Sequence, residues 1–309
     1  MTALKALIGD YLAVRRSLGF KLVMTERLLY QFQRHVDQAG LAPITVDVML
    51  QWAVAPQSSP NRHGYRLGTL RTFARWAHVF DLSIPVPPAN LLPIRQSRKA
   101  SFLYSPEQLQ LVLQEVSRTP DALIAATYGT LIGLLACTGL RVGEAIRLNR
   151  GDLRDGVLTI TDTKFGKSRF VPLDASVVAA LARYQALRDG TLGAVATDAL
   201  FVSRRGTRLI YKIVHLRFHR HVLAAGITAH STGARPRIHD LRHTFAVTTM
   251  LNAYRDGRDP AEVLPILSTY LGHVGPLSTY WYLQADPQLL ATAATKLIPL
   301  EVGFPAVTA

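Results

Sequence analysis

A cluster of prolines divides this sequence in two. In "SIPVPPANLLPIRQSRKASFLYSPEQLQ", residues 83–110, Pro85, Pro87, Pro88 and Pro93 rule out a continuous helix, because each fixes φ and lacks an amide hydrogen. Arg95, Arg98 and Lys99 make the joint basic. A helix is then predicted to start sharply, with Ser105 as N-cap, Pro106 at the first helical position and Gln108 completing a capping box. The boundary falls near residue 100. At 309 residues, domains of 1–100 and 101–309 are each long enough to bury a core.

Before the joint the apolar spacing is helical. Leu4, Leu7, Ile8, Tyr11 and Leu12 form one stripe, and Leu28, Leu29, Phe32 and Val36 form another. "RLGTLRTFARWAHVF" (66–80) puts Leu67, Leu70, Phe73, Ala74 and Ala77 on one face, with Trp76 as a core residue. Arg66, Arg71, Arg75 and His78 fall largely outside that stripe, as a solvated face or a surface for a polyanion. After the joint the pattern is mixed. "GVLTITDTKFGKSRFVPL" (156–173) alternates β-branched and polar residues, turns around Phe165–Gly166 and alternates again, a β-hairpin with Lys164 at its tip.

The charge points to the class of partner. The net charge is +14, with 13 Lys and Arg against 5 Asp and Glu in residues 1–100 and 22 against 16 in the rest. The excess therefore runs through both halves, as a partner touching both would require, although simple solubility is the plainer reading. Cys137 is the only cysteine, which excludes an intrachain disulfide and Cys-rich zinc modules and fits a reducing compartment. It reads as a small buried residue. "MTALKALIGDYLAVRRSLGF" lacks the features of a secretory leader, so a cytoplasmic protein is expected. Ala122 to Leu140 carries no charge but contains Thr127, Tyr128, Gly129, Thr130, Thr138 and Gly139, and reads as a buried helix rather than a membrane span.

Four stretches carry groups suited to chemistry. In "ACTGLRVGEAIRLNRGDL" (136–153), Gly139 breaks the apolar helix, and Arg141 with Glu144 reads locally as a helix-surface salt bridge. Lys164 is, alone, an exposed lysine. "RIHDLRHTFAV" (237–247) places His239, Arg242 and His243 within five positions beside Asp240. His239 and His243 share a helical face, so half a zinc site is open as a reading, as is a phosphate clamp built on His239 and Arg242. In "STYLGHVGPLSTYWYLQAD" (268–286), His273 precedes a Pro-containing turn and two tyrosines, Tyr280 and Tyr282. "YKIVHLRFHRHV" (211–222) offers another pair, His215 and His219, but Arg217 and Arg220 beside them oppose a cation.

In this order the four stretches resemble the tyrosine recombinase (phage integrase) family, from about Ser105 to Tyr282. "TGLRVGEAIRL" is similar to that family's first arginine motif, "HDLRHTFA" to its His-x-x-Arg motif and "LGH" to its last histidine motif, with a tyrosine nine residues beyond. The resemblance implies a mostly α, two-domain fold: an N-terminal helical core-binding (SAM-like) domain and an α+β catalytic domain with a small antiparallel sheet. It implies a site-specific recombinase or integrase that cuts and rejoins DNA through a 3′-phosphotyrosyl intermediate, without a cofactor. Arg141 and Arg242 would hold the phosphate, and His239 would be the general base. Lys164 would be the general acid ahead of Lys167, His273 a phosphate ligand and Tyr282 the nucleophile. On a helix, two positions amount to about 200° of rotation, so Tyr280 would face elsewhere and read as packing or surface, like Tyr270. The family's histidine soon after the tyrosine is replaced here by Leu283 and Gln284.

The same resemblance implies double-stranded DNA sites as partner, a homotetramer on paired sites, a clamp formed by the two domains, possible partner recombinases or accessory factors, and no membrane. It makes Arg66, Arg71, Arg75, Arg205, Arg217 and Arg220 candidate DNA contacts, with Arg204 and Arg208 near them. His243 and Asp240 become supporting residues. Two other readings stay open: a metal-dependent hydrolase using His239 and His243, and a DNA-binding protein without catalysis. A topoisomerase of related chemistry would act without paired sites.

Overall fold

The computed structural model describes residues 3–41, 43–92, 101–161, 168–193, 197–229 and 233–273. The chain forms two compact units, Met1–Arg98 and Lys99–Ala309. The first consists of α1 (Ala3–Ser17), α2 (Val23–Ala39), α3 (Val46–Val54) and α4 (Pro60–Ala77). Their apolar stripes meet in one core, where Ile8, Leu12, Leu29, Phe32, Trp52, Leu67, Leu70 and Phe73 are buried. Thr45 caps α3 by accepting from the Val48 amide at 3.2 Å. Trp76 is half-buried against this core, edge-on to Tyr11.

Two arginines of α4 do not lie where the stripe placed them. Arg66 is 7 % exposed, stacked 3.6 Å from the Trp52 ring, and donates to the Trp52 carbonyl at 2.7 Å. Buried against an indole, it cannot serve as the DNA contact expected of it. Arg71 turns onto the proline segment, donating to the carbonyls of Pro87 (3.0 Å) and Pro88 (2.8 Å), and so pins the joint to α4. Proline-rich backbone leaves carbonyls without local donors, and a guanidinium satisfies two of them. Arg75 stays exposed.

The second unit centres on α6 (Ala122–Thr138), the charge-free stretch. It carries no charge on any side and is buried over most of its surface, as such a helix must be in water. α5 (Pro106–Ser117), α8 (Ala175–Leu192) and α10 (Asp240–Arg255) pack on it. No helix among the described residues is long and apolar enough to cross a membrane. α5 begins with the expected capping box: the Ser105 hydroxyl accepts from the Gln108 amide at 3.2 Å, and the Gln108 side chain accepts from the Ser105 amide at 3.0 Å. Cys137 is exposed rather than buried, on a cavity of about 340 Å³ between α6 and α8.

Between α7 (Val142–Arg147) and α8 runs a three-stranded antiparallel sheet, β1 (Leu153–Arg154), β2 (Val157–Ile160) and β3 (Arg169–Pro172), in that spatial order. Val157 pairs with Pro172 and Ile160 with Arg169, so Leu158, Ile160 and Val171 are buried. Asp155 and Gly156, both at positive φ, make the tight turn from β1. The tip of the second hairpin, with Lys164 and Lys167, lies outside the described residues. α9 (Tyr211–Ala224) packs on α5 and α7, and α11 (Pro260–Leu271) packs between α10 and β3.

Candidate active site

The site is built around the last turn of α11. It starts with Gly139, which ends α6 at φ +61° and where a side chain would force its neighbours to shift, since a Cβ there would lie 2.6 Å from Phe245 Cδ1 and 2.8 Å from Leu271 Cδ2. The reversal brings Arg141 to the start of α7. Glu144 reaches back to it, accepting from the Arg141 amide at 3.0 Å and from Nη1 at 2.7 Å. This is not the surface salt bridge that the spacing suggests: the Glu144 side chain is 2 % exposed, and Arg169 of β3 also pairs with it, Nη2 to Oε2 at 2.8 Å. Burial alone would raise the Glu144 pKa; the hydrogen bonds and charges of Arg169 and Arg141 outweigh it and hold the carboxyl at about 2.

Arg242, 1 % exposed, projects from the first turn of α10 into the same place. Nη1 donates to Gly139 O at 2.8 Å and Nη2 to Leu271 O at 2.7 Å. Arg141 Nη2 donates to Gly272 O at 3.3 Å, and Arg169 Nε to Tyr270 O at 2.8 Å. Three arginines from three separate elements thus hold three successive carbonyls of one helix end, where the backbone dipole concentrates negative charge.

His273 follows at once. Its Nε2 lies 2.8 Å from Arg242 Nη2. A guanidinium can only donate, so Nε2 is the acceptor and this imidazole is neutral, with its proton on Nδ1. Burial, then the charges of Arg242, Arg141 and Arg169, push its pKa down to about 4.

His239 sits at the N-terminal boundary of α10 with its ring accessible to solvent. Partial desolvation and the Arg242 charge hold its pKa below the ordinary imidazole range. The buried His243 ring meets it edge-to-face at 5.4 Å, and burial followed by neighbouring His239 and the arginines pushes His243 down to about 3. Asp240 is buried and accepts from the Arg237 amide (2.9 Å), Nε (3.1 Å) and Nη2 (2.8 Å), which fixes the entry to α10. A cavity of about 280 Å³ opens over the site, lined by Arg141, Gly143, Glu144, Arg147, Tyr211 and His239.

Arg141, about a hundred residues or more upstream, is therefore brought together with His239, Arg242 and His273. Tyr280 and Tyr282 lie outside the described residues. Tyr270 is packed, stacked on Phe245 with its hydroxyl donating to Pro172 O at 3.3 Å. Among the described residues no group of three His, Cys, Asp or Glu could hold a metal ion, and the two carboxylates nearest the histidines are tied to arginines. The arrangement is cationic, with buried donors converging on one opening, and suits an oxyanion.

The outlying arginines differ. Arg208 is turned inward, donating to Ile146 O and Leu148 O and to Asn149 Oδ1, and Arg204 pairs with Asp121. Arg205 and Arg220 are exposed; Arg217 is half-buried, 5.3 Å from the Tyr128 ring. Sequence reasoning passed over Arg169, Arg147 and Tyr211. Strand alternation could have found the first, since Arg169 shares a sheet face with Val171. No pattern marked the other two.

A sequence model described as the phage integrase family matches residues 104–288. The chain belongs to that family. The relatives of this tyrosine recombinase include a putative integrase/recombinase, y4rB, of Sinorhizobium fredii, 38% identical over 306 residues, which covers 96% of this chain and 98% of that one. Its fold is that of solved family members. The XerH site-specific recombinase bound to palindromic difH substrate has a TM-score of 0.63 at 23% identity, over 87% of this chain and 77% of that one. A lambda integrase tetramer bound to a Holliday junction has a TM-score of 0.63 at 18% identity, over 90% of this chain and 76% of that one.

Proposed function

We propose that this tyrosine recombinase breaks and rejoins DNA at specific sites by attack of the Tyr282 phenolic oxygen on a backbone phosphate. The new oxygen–phosphorus bond replaces the bond to the 5′-oxygen, leaving a 3′-phosphotyrosyl link and a free 5′-hydroxyl. A 5′-hydroxyl from a second strand then reverses the step. Bond energy is kept in the covalent intermediate, so a nucleotide cofactor is not required.

The observation that carries this reading is the convergence of Arg141, Arg242 and His273 on one helix end. Negative charge grows on the equatorial oxygens in the transition state, and two planar, permanently charged forks match it. Removing one such donor costs about 2.7–4 kcal/mol in comparable oxyanion sites. With a pKa near ~10, only about one phenol in a thousand is ionised at pH 7. His239, neutral and accessible, accepts that proton, directly or through the phosphate. Lys164 protonates the departing 5′-oxygen, with Lys167 the alternative. His243 and Asp240 orient the His239 segment.

Residues 1–100 serve as the core-binding domain and residues 101–309 as the catalytic domain, with Arg75 of the first and Arg205, Arg217 and Arg220 of the second on the DNA backbone. Two sites are paired by four protomers, an arrangement supported by the lambda integrase tetramer, with room for partner recombinases or accessory factors. Such a protein works in the cytoplasm, on the nucleoid.

The test is incubation with nicked duplexes carrying candidate sites from the DNA flanking its gene. A denaturant-resistant adduct mapped to Tyr282, absent in Tyr282→Phe, is expected. An adduct at Tyr280 would move the nucleophile. No adduct at all would leave a DNA-binding protein, and relaxation of supercoils without paired sites would indicate a topoisomerase.

A further inference from the structure

Arg169 opens β3 with its side chain 9 % exposed, and each of its three guanidinium nitrogens ends on protein. Nη2 donates to Glu144 Oε2 at 2.8 Å, Nη1 to Oε1 at 3.2 Å, and Nε to Tyr270 O at 2.8 Å. The guanidinium also lies against the Gly272 backbone: at φ +68°, a Cβ there would come within 2.8 Å of Nη1. Three of its five N–H donors are thereby committed to protein, and burial keeps the guanidinium away from an outside anion. Its effect must pass through what it holds.

What it holds is half of a carboxylate. Glu144 Oε1 also accepts from Arg141 Nη1 at 2.7 Å, and Oε2 from the Arg141 amide at 3.0 Å. Two cations thus divide one buried negative charge. Because of that division, the Arg141 guanidinium uses a single Nη on Glu144, and its other Nη rests on Gly272 O at a loose 3.3 Å. Without Arg169, a buried carboxylate would face one cation alone, and the bidentate fork is the strongest arrangement open to that pair. Arg141 would then turn both Nη atoms inward.

We infer that Arg169 is a positioning residue for strand cleavage: by occupying half of Glu144 it keeps the second Arg141 Nη off the carboxylate, on a loose carbonyl contact that a phosphate can displace, while its Nε steadies the turn that carries His273. This rests on Arg141 being a phosphate ligand, as proposed above. The residue itself touches no substrate.

The test compares single-turnover adduct formation and duplex affinity for the wild type, Arg169→Met, Arg169→Lys and the double variant Arg169→Met/Glu144→Gln. Arg169→Met should cleave about 10²-fold more slowly, the loss that misplacing a catalytic group by about 1 Å can cause, with duplex affinity nearly unchanged. The double variant should recover part of the rate, because a neutral amide no longer captures Arg141. Arg169→Lys, which keeps the shared charge, should fall between Arg169→Met and the wild type. Wild-type rates in Arg169→Met, or no recovery in the double variant, would overturn the inference. Should Arg169→Met fail to fold, Arg169→Lys decides: a rate near the wild type supports charge sharing, and complete loss overturns it. A crystal structure of Arg169→Met gives a readout independent of activity, with Arg141 bidentate on Glu144 expected and an unmoved Arg141 contrary. If the wild type forms no adduct, the proposed function fails, while the position of Arg141 still judges this inference.

Discussion

Gly139 supports both Arg141 and Arg242: its reversal places Arg141, and its carbonyl receives Arg242. Gly139→Ala would add left-handed strain of about 1–2 kcal/mol. It would also press on Phe245 and Leu271, for overpacking of about 1–3 kcal/mol. A loss of about 2–5 kcal/mol is therefore expected in urea unfolding. The titrating residues make a second prediction. His273 and His243 protonate at about 4 and about 3 in the folded chain, against ~6.5 when unfolded. Between these values the unfolded chain binds more protons, so stability is full above about pH 6.5 and declines as pH falls through that window. Glu144, at about 2 against an ordinary 4.5, adds about 3 kcal/mol that is present above pH 4.5 and lost on descending toward 2. Urea midpoints measured against pH should show both limbs. Glu144→Gln should remove the lower limb and leave the upper one.

At the scale of elements, helix α4 and helix α9 separate two uses of arginine. Arg66→Met should lose about 2–3 kcal/mol, through the indole stack and the carbonyl bond, and leave the salt dependence of DNA affinity unaltered. Arg220→Gln should do the reverse, lowering the slope of log K against log salt by about 1 with little change in thermal midpoint. The contrast also explains what could be read in advance. Helix starts at Ser105, the glycine stop at 139 and the 157–172 hairpin follow from local chemistry, and local chemistry is written in neighbouring letters. Arg66 misled because periodicity reports the angle of a residue around its helix, not whether an aromatic ring from α3 waits beside it. β1 was missed although Asp155–Gly156 is a strong tight-turn signal, because its two residues are too few for alternation to register. Cys137 lies on the one side of α6 where the cavity against α8 leaves it uncovered. The division of Glu144 between Arg141 and Arg169 joins α7 to β3, and no local pattern could announce it.

For the whole molecule, a net charge of +14 distributed over both units sets how the enzyme meets DNA. If about 6–10 phosphates are neutralised, affinity should fall by roughly 10³–10⁵ between 50 and 200 mM salt, measurable by fluorescence anisotropy. A much shallower dependence would mean that most of the surplus charge lies away from the duplex. Motif order was legible from about Ser105 onward because each motif is spelled in neighbouring letters, whereas their meeting place depends on packing among α6, α10, α11 and β3. That meeting place has a mechanical corollary. Tyr270, Leu271 and Gly272 each offer a backbone oxygen to a different arginine. A displacement of this helix end is thus felt at all three guanidinium groups together, so the three positive charges shift as one unit and not one by one.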